Sequence, residues 1–165
     1  MKLIAGKVKP FSGFTLIELL VTIAVAVVLA TIAVPGFSQL RQQQQIVASA
    51  NDVLGVLQSA RREAINKRLD MSVVLGNSQG WPITVKYTNP DTGNEETVLA
   101  RYASHSLISL SWASGDDLVF NRFGRVDTAR ALCILRDAEV SREAYMRISG
   151  QIELRKDDEI ENCVG

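Results

Sequence analysis

The sequence of 165 residues is poor in histidine and cysteine, the side chains that most often bind transition metals. It contains one histidine, His105, and two cysteines, Cys133 and Cys163, and neither cysteine has a partner at metal-ligand spacing. It also lacks internal repeats, and its only low-complexity tract is a run of glutamines at residues 42–45. We therefore predict one ordinary domain with no metal, no cofactor and no catalytic residue.

An excess of charge of either sign is also missing, because 18 basic side chains balance 18 acidic ones. Three of the basic side chains, Lys2, Lys7 and Lys9, lie within the first 13 residues, so the remainder carries 15 basic against 18 acidic side chains. A mildly acidic chain is a poor electrostatic partner for nucleic acid. DNA is therefore not expected to be a partner.

One short motif could suggest an enzyme. Residues 76–80 spell G-x-S-x-G, the pattern of a hydrolase nucleophile elbow, and Asp91 and His105 follow in the required order. The elbow needs a helix after the serine, whereas the residues from Trp81 onward are typical of the start of a strand. We interpret the motif as a turn and predict that the protein is not an enzyme.

Charge is almost absent from one long stretch near the N-terminus. Between Phe14 and Pro35 only Glu18 is charged, and the other polar residues are three threonines. As a helix, the segment from Phe14 to Val34 would span about 31 Å, close to the thickness of a membrane's hydrocarbon core. A lone carboxylate in lipid costs on the order of 2–4 kcal/mol, so Glu18 should have a partner.

Two common kinds of segment do not explain this carboxylate. A secretory signal peptide could be cut after Val28-Leu29-Ala30, but the apolar run continues past that point and Glu18 lies inside it. A plain membrane anchor also leaves Glu18 without a role. A third interpretation comes from a resemblance.

The stretch Gly13-Phe14-Thr15-Leu16-Ile17-Glu18, after a basic leader, resembles the type IV prepilin signal. The resemblance implies that prepilin peptidase cuts between Gly13 and Phe14 and that Phe14 becomes an N-methylated N-terminus. Glu18 is then the fifth residue of the mature chain, where the family carries a glutamate. We expect Glu18 to pair with the terminal amine of a neighbouring subunit and to suit the positive end of its own helix.

This resemblance implies three segments: a leader peptide at residues 1–13, a hydrophobic transmembrane and assembly helix at residues 14–37, and a periplasmic globular domain at residues 38–165. The chain would sit in the inner membrane as a single-pass protein and then enter a pilus. Its partners would be prepilin peptidase, the inner membrane, and other minor and major pilin subunits.

A second resemblance narrows the family. The helix end at residues 57–68, the strand that follows it, and the Phe…Gly turn at residues 120–126 are similar to the GspH/FimT group of minor pilins and pseudopilins. Some members prime type IV pili, some belong to type II secretion, and some bind DNA through a Gly-Arg-x-Arg motif. Here Gly150-Gln151-Ile152-Glu153 and Gly124-Arg125-Val126-Asp127 depart from that motif, and acidic groups repel phosphate. We expect a minor pilin at or near the pilus tip that helps to prime assembly; a pseudopilin and a DNA-uptake pilin are the alternatives.

The rest of the chain predicts an α+β fold: a pilin-like, long N-terminal helix, with a membrane-spanning first half, packed on an antiparallel β-sheet domain. Pro35 predicts a helix kink. The helix then continues to about Arg68, with an apolar stripe at Leu40, Val47, Ala50, Leu54, Leu57 and Ala64. Eight short strands follow at Met71–Leu75, Ile83–Thr88, Thr97–Tyr102, Leu107–Ser111, Leu118–Asn121, Ala131–Arg136, Ala144–Ser149 and Ile152–Arg155. Turn residues at 89–94 and 150–151 predict hairpins.

The two cysteines have two interpretations. In an exported protein, Cys133 and Cys163 would form one disulfide that closes a loop of about 30 residues. In a cytosolic protein they would be free thiols. With the membrane segment in place we predict the disulfide, which would fix the acidic C-terminal residues to the strand that carries Cys133.

Overall fold

A computed structural model describes residues 13–76, 80–103, 106–115 and 117–163, without the side chains of residues 33–36 and 157. The chain divides into two compact units, Met1–Arg41 and Gln42–Gly165, called below the N-terminal and C-terminal units. One long helix, α1, runs from Leu16 to Lys67 and contributes to both. Its end agrees with the prediction to within one residue.

In the N-terminal unit, Thr15 caps the start of α1. Its hydroxyl oxygen accepts a hydrogen bond from the backbone N–H of Glu18 at 3.3 Å. The spacing T-x-x-E is that of a capping box, in which a threonine at the helix start and a glutamate three residues later satisfy free N–H groups; only the threonine half of that arrangement is formed among the described residues. Beyond the cap, the large apolar side chains between Phe14 and Ile32 are all between 52% and 81% exposed. Among the described residues, none of the large apolar side chains in this part of the helix is buried.

Within the described residues, no single helix is long and apolar enough to cross a membrane. The segments Leu16–Ile32 and Phe37–Lys67 reach the length and hydropathy of a membrane span only when they are taken together, with a break between them. Pro35 lies within the range of α1, but its side chain is outside the described part of the chain. The kink at Pro35 therefore stays a prediction.

In the C-terminal unit, α1 buries one face against the strands. The buried apolar side chains are Ala50, Val53, Val56, Leu57, Ala60 and Ala64, which follow steps of three and four residues. The predicted stripe is wrong at Leu40 and Val47, which are 50% and 44% exposed. Ile46 packs against the core in place of Val47 because it lies on the face of Ala50 and Val53.

The predicted antiparallel β-sheet domain is confirmed, and its strands form two four-stranded sheets. The first has the order β3-β2-β1-β5 and the second the order β4-β6-β7-β8. The strands are β1 Met71–Gly76, β2 Gly80–Thr88, β3 Glu95–Arg101, β4 Ile108–Trp112, β5 Asp117–Phe120, β6 Arg130–Arg136, β7 Glu139–Met146 and β8 Ile152–Lys156. Both predicted hairpins are confirmed, β2–β3 and β7–β8. Strand β7 begins at Glu139 and not at Ala144 as predicted.

One hydrophobic core joins the helix to both sheets. Val53 and Leu57 of the helix, Val73, Ile83 and Phe120 of the first sheet, and Leu132, Ile134 and Met146 of the second are all fully or almost fully buried in it. Trp81 lies in this core and Trp112 packs against it. Since each large side chain buried in this way contributes roughly 1.5–3 kcal/mol, this cluster is the main attachment of residues 42–67 to the sheets.

The G-x-S-x-G stretch forms the connection between β1 and β2. Gly76 ends β1 and Gly80 begins β2. Asn77, Ser78 and Gln79 lie outside the described residues, as does His105. A strand follows Gly80, where a nucleophile elbow requires a helix, so this stretch lacks the setting of that motif.

Candidate functional site

The first candidate site is the exposed helical segment from Gly13 to Ile32. Its threonine hydroxyls are satisfied by the helix itself: Thr22 donates to the carbonyl of Leu19 at 2.8 Å, and Thr31 donates to the carbonyl of Val28 at 2.7 Å. Glu18 differs, because its carboxylate has no hydrogen-bond or ion-pair partner among the described residues. It is therefore the one charged group of this segment that needs a partner from outside.

The predicted cleavage point lies just before this helix. Gly13 and Phe14 precede the first helical residue, have no regular secondary structure and are exposed. A side chain added at Gly13 would meet no atom of the described structure within 4 Å. The described residues therefore leave Gly13 and Phe14 exposed, as the predicted cleavage would require.

The motif at the end of α1 and the Phe…Gly turn contact each other and stabilise the packing of the helix on the turns. Arg61 Nε donates to the carbonyl of Gly124 at 3.0 Å, and its Nη2 donates to the carbonyl of Ser149 at 3.2 Å. Gly150 has a φ of 79°, and a Cβ added to it would lie 1.8 Å from the carbonyl oxygen of Gly124. One helical arginine thus joins two turns that touch each other, and this accounts for the motif by structure alone.

Residues 150–153, which depart from the DNA-binding motif in the sequence, form the β7–β8 turn and the start of β8. Glu153 accepts two hydrogen bonds from Arg147, at 2.8 Å from Nε and 3.1 Å from Nη2. Because Arg147 binds it in this way, the pKa of Glu153 lies below its usual value and the pKa of Arg147 lies above its own. The hairpin therefore neutralises its own cation, and Arg147 offers little free charge to phosphate.

The second candidate site is the end of the chain. Cys133 and Cys163 are joined in a disulfide with their Cα atoms 5.6 Å apart, as predicted. Glu143 lies opposite Cys133 in the register of β6 and β7, and opposite Arg155 in the register of β7 and β8. Its side chain is completely buried, with a relative exposure of 0%. No motif in the sequence points to a role for this residue.

Five donors surround the Glu143 carboxylate. Oε2 accepts from the backbone N–H groups of Glu161, Asn162 and Cys163, at 3.2, 2.9 and 3.3 Å. Oε1 accepts from Asn162 Nδ2 at 2.9 Å and from Arg155 Nη1 at 3.4 Å. Burial acts to raise the pKa of Glu143, but the side-chain and backbone hydrogen bonds of residues 161–163 outweigh it and lower the pKa.

A third cluster lies on the β2–β3 hairpin. Glu96 accepts hydrogen bonds from the Tyr87 hydroxyl and from Asn89 Nδ2, and the Lys67 ammonium lies 4.7 Å from the centre of the Tyr87 ring. The hydrogen bond to Glu96 raises the pKa of Tyr87, and the hydrogen bond from Tyr87 lowers the pKa of Glu96. These contacts fasten the hairpin to the helix end.

In the part of the chain that the structure describes, no three acidic, histidine or cysteine side chains gather as metal ligands would.

Comparison with known proteins identifies the class. Residues 49–151 match the family described as Type II transport protein GspH, and residues 9–34 match the prokaryotic N-terminal methylation motif. The first match covers more than half of the chain, so the chain belongs to the GspH family. This is the group of minor pilins and pseudopilins that the two motifs predict, and its members are structural subunits.

The fold is similar to that of one particular protein. Two crystal structures of the type IV minor pilin FimU from Pseudomonas aeruginosa PAO1 match at TM-scores of 0.59 and 0.55, with 16% and 17% identity. They cover 74% and 71% of this chain and 98% of their own. No curated protein matches the chain. The similarity confirms the pilin-like α+β fold.

Proposed function

We propose that this protein is a minor pilin of a type IV pilus, incorporated at or near the tip, that helps to prime assembly. The observation that supports it most is Glu18, a carboxylate without a partner among the described residues, in a stretch of α1 whose large apolar side chains up to Ile32 are all exposed. The methylation motif at residues 9–34 and the FimU-like fold agree with this assignment.

The chemistry begins with cleavage. Prepilin peptidase cuts between Gly13 and Phe14, and the new amine of Phe14 is N-methylated, which keeps its positive charge. Glu18 of one subunit then pairs with the Phe14 amine of its neighbour. Each charge lowers the desolvation cost of the other, since an unpaired ion in apolar surroundings is costly and a paired one is much less so.

Apolar packing completes the assembly. In lipid the exposed side chains of residues 14–32 are already in an apolar medium, so a single helix gains little free energy by leaving the bilayer on its own. They can leave the bilayer only when other helices replace the lipid around them. Such a subunit can therefore leave the membrane only by entering a filament in which neighbouring subunits pack their own apolar helices around it.

The proposed location follows from the two ends of the chain. The basic leader would stay on the cytoplasmic side of the inner membrane, as basic flanks usually do. The C-terminal unit would lie in the periplasm, where the disulfide between Cys133 and Cys163 can form. The protein would pass from there into the pilus.

The decisive experiment separates two possible roles of Glu18. Glu18→Gln keeps a side chain that can serve a capping box but removes the charge, whereas Glu18→Ala removes both. We expect both variants to be cut and methylated at Phe14, as intact mass would show, and both to be missing from sheared filaments. Glu153→Gln is the matched control and should be incorporated normally. Normal incorporation of Glu18→Gln would leave only a capping role and overturn the proposal.

A second candidate function is a type II secretion pseudopilin, which the match to Type II transport protein GspH favours. The two are separated by the subunits that co-purify with the full chain after crosslinking in its native membrane. Pilus subunits would support the first function, and secretion subunits would support the second.

DNA uptake is the weakest alternative, because Glu153 neutralises Arg147 where the DNA-binding motif would supply free arginines. A gel-shift assay with the full chain in detergent should show no salt-sensitive binding of duplex DNA. Tight binding that weakens steeply with salt would instead favour a DNA-uptake pilin.

A further inference from the structure

The tail, defined here as residues 158–163, is attached to the second sheet in two independent ways. One is the disulfide between Cys133 and Cys163. The other is the set of hydrogen bonds from residues 161–163 to Glu143. Around both lies a small apolar cluster, separate from the main core, formed by Ala131, Cys133 and Cys163 with Leu135, Val140, Tyr145 and Ile160.

The geometry around Glu143 selects one path for the tail. Three consecutive backbone N–H groups, those of Glu161, Asn162 and Cys163, converge on the same carboxylate oxygen. The tail can satisfy all three only if it turns tightly over Glu143. Because Glu143 pairs with Cys133 in the sheet register, that path brings Cys163 next to Cys133.

Burial of the carboxylate depends on the tail. Glu143 is fully buried, and four of its five hydrogen bonds come from residues 161–163. The fifth comes from Arg155, which is shared with the carboxylates of Glu161 and Glu153 and stacks 4.2 Å from the centre of the Tyr145 ring. A carboxylate without these donors would remain solvated, so docking of the tail and burial of Glu143 occur together.

We propose that Glu143 is a positioning residue for disulfide formation: it docks the tail while both cysteines are still thiols and holds Cys163 beside Cys133. The docked tail raises the effective concentration of one thiol at the other, as any pre-formed intramolecular contact does. The disulfide then secures a structure that the carboxylate has already formed.

The oxidant is a small or protein disulfide, such as oxidised glutathione. The thiolate of one cysteine attacks a sulfur of the oxidant, forms a mixed disulfide and releases one glutathione thiolate. The thiolate of the other cysteine attacks the protein sulfur of that mixed disulfide, forms the Cys133–Cys163 bond and releases the second glutathione. Each cysteine loses one proton, and the two electrons end on the two glutathione sulfurs. Glu143 affects the second step, because that step needs both cysteines together.

The first test measures the effective concentration of the two thiols. The full chain in detergent is equilibrated with mixtures of reduced and oxidised glutathione, trapped by alkylation, and the closed fraction is read by mass spectrometry. We expect Glu143→Ala to lower the effective concentration about tenfold or more, equivalent to losing roughly one hydrogen bond to a charged group. Glu95→Gln, which alters an exposed carboxylate on the other sheet, should change it less than twofold. A Glu143→Ala value within twofold of the wild type would overturn the proposal.

The second test removes the disulfide altogether. In a Cys133→Ser, Cys163→Ser double variant, hydrogen exchange of the amides of residues 161–163 should remain slow, and adding Glu143→Ala should make it fast. Fast exchange in the double variant itself would show that the tail is not docked without the disulfide and would overturn the proposal.

A further variant covers the case in which Glu143→Ala does not fold. Asn162→Ala removes only the Nδ2 donor and leaves the backbone N–H groups in place. It should lower the effective thiol concentration by a few-fold, and an unchanged value would contradict the proposal. Because these tests do not involve filaments, they can fail while the proposed pilin function stands, and the reverse.

Discussion

Glu18 and Glu143 are both carboxylates among apolar side chains, and they obtain their partners in opposite ways. Glu18 is exposed on a helix and has no partner among the described residues. Glu143 is fully buried and accepts five hydrogen bonds from its own chain. The carboxylate in the N-terminal unit therefore still needs a partner, whereas the carboxylate in the C-terminal unit already has its partners within the chain.

The difference shows what each region is built for. The large apolar side chains of residues 14–32 are exposed in the described structure, whereas the C-terminal unit has a core of its own and satisfies its buried charge internally. Substitutions in the first region should thus affect assembly and leave stability unchanged. Substitutions in the second should do the reverse, and the following predictions test that separation.

The largest effect is expected at the cleavage point. Gly13→Val should abolish processing, because the resemblance to the prepilin signal requires a glycine before the cut. Intact mass should show a chain that still begins at Met1 and lacks methylation, and that chain should be missing from filaments. Gly55→Ala, another glycine with open space around it, is the control and should be processed normally. Uncut chains in filaments would show that the Phe14 amine is not the partner of Glu18.

The second prediction concerns stability. Glu143→Leu leaves buried N–H donors of the tail unpaired and should lower the free energy of unfolding by about 3 kcal/mol or more. Glu18→Leu should change it by less than about 0.5 kcal/mol, as exposed substitutions usually do. Urea unfolding of both full-length variants in the same detergent gives the comparison. Similar losses in the two variants would break the separation between the regions.

The third prediction tests the contact between the two turns. Gly150→Ala places a Cβ 1.8 Å from the Gly124 oxygen at a φ of 79° and should cost about 2–4 kcal/mol. Gly93→Ala has a similar φ of 70° but no atom within 4 Å, so it should cost only about 1 kcal/mol. Thermal unfolding of the pair separates backbone strain from collision. Equal losses would show that the turns do not touch.

The fourth prediction concerns pH. The hydrogen bonds from residues 161–163 lower the pKa of Glu143 in the folded state, so this group stabilises the protein above its unfolded pKa of about 4.3. That stabilisation is lost as the pH falls through the lower, folded pKa. The difference in free energy of unfolding between wild type and Glu143→Gln, measured from pH 6 to pH 2.5, should therefore shrink with acid. A constant difference would contradict the hydrogen-bonded carboxylate.

The smallest effect is expected at an exposed ion pair. Arg147 and Glu153 form two short hydrogen bonds, but Arg147 is half exposed to solvent. Glu153→Gln should therefore cost less than about 1 kcal/mol, and less still at high salt. Measuring it beside Glu143→Gln in the same salt series shows how much burial adds to a carboxylate's contribution.

The strands were predictable where hydrophobic side chains alternate with polar ones. Strands β1 to β6 and β8 lie close to their predicted positions, because Val73, Ile83 and Phe120 mark a buried face. Strand β7 was predicted too late because its first half is rich in charge. From the sequence alone, Glu143 would be interpreted as a solvent-exposed residue, because nothing near it in the sequence indicates that the tail covers it. The division into two sheets depends on contacts between distant strands and leaves no local signal.

The two carboxylates also differ in how well the sequence predicts them. Glu18 stands out because it is the only charge in a long apolar run, so its environment is visible from its neighbours. Glu143 lies in an ordinary polar stretch, and four of its five donors come from residues 161–163. A signal did exist: a strand paired with the Cys133 strand and a tail fixed by Cys163 must meet, and the residue opposite Cys133 lies where they do.

The threonines of the N-terminal helix have a mechanical consequence. Thr22 and Thr31 return their hydroxyl protons to carbonyls of their own helix, so the surface between them offers no donor to an adjoining helix. Where such helices pack side by side, the surfaces between Thr22 and Thr31 would be held by dispersion forces. Neighbouring helices could then shift along their axes without breaking a hydrogen bond between these surfaces. If Glu18 pairs with a neighbouring amine as proposed, that ion pair is the contact that would fix the lengthwise register of the helices.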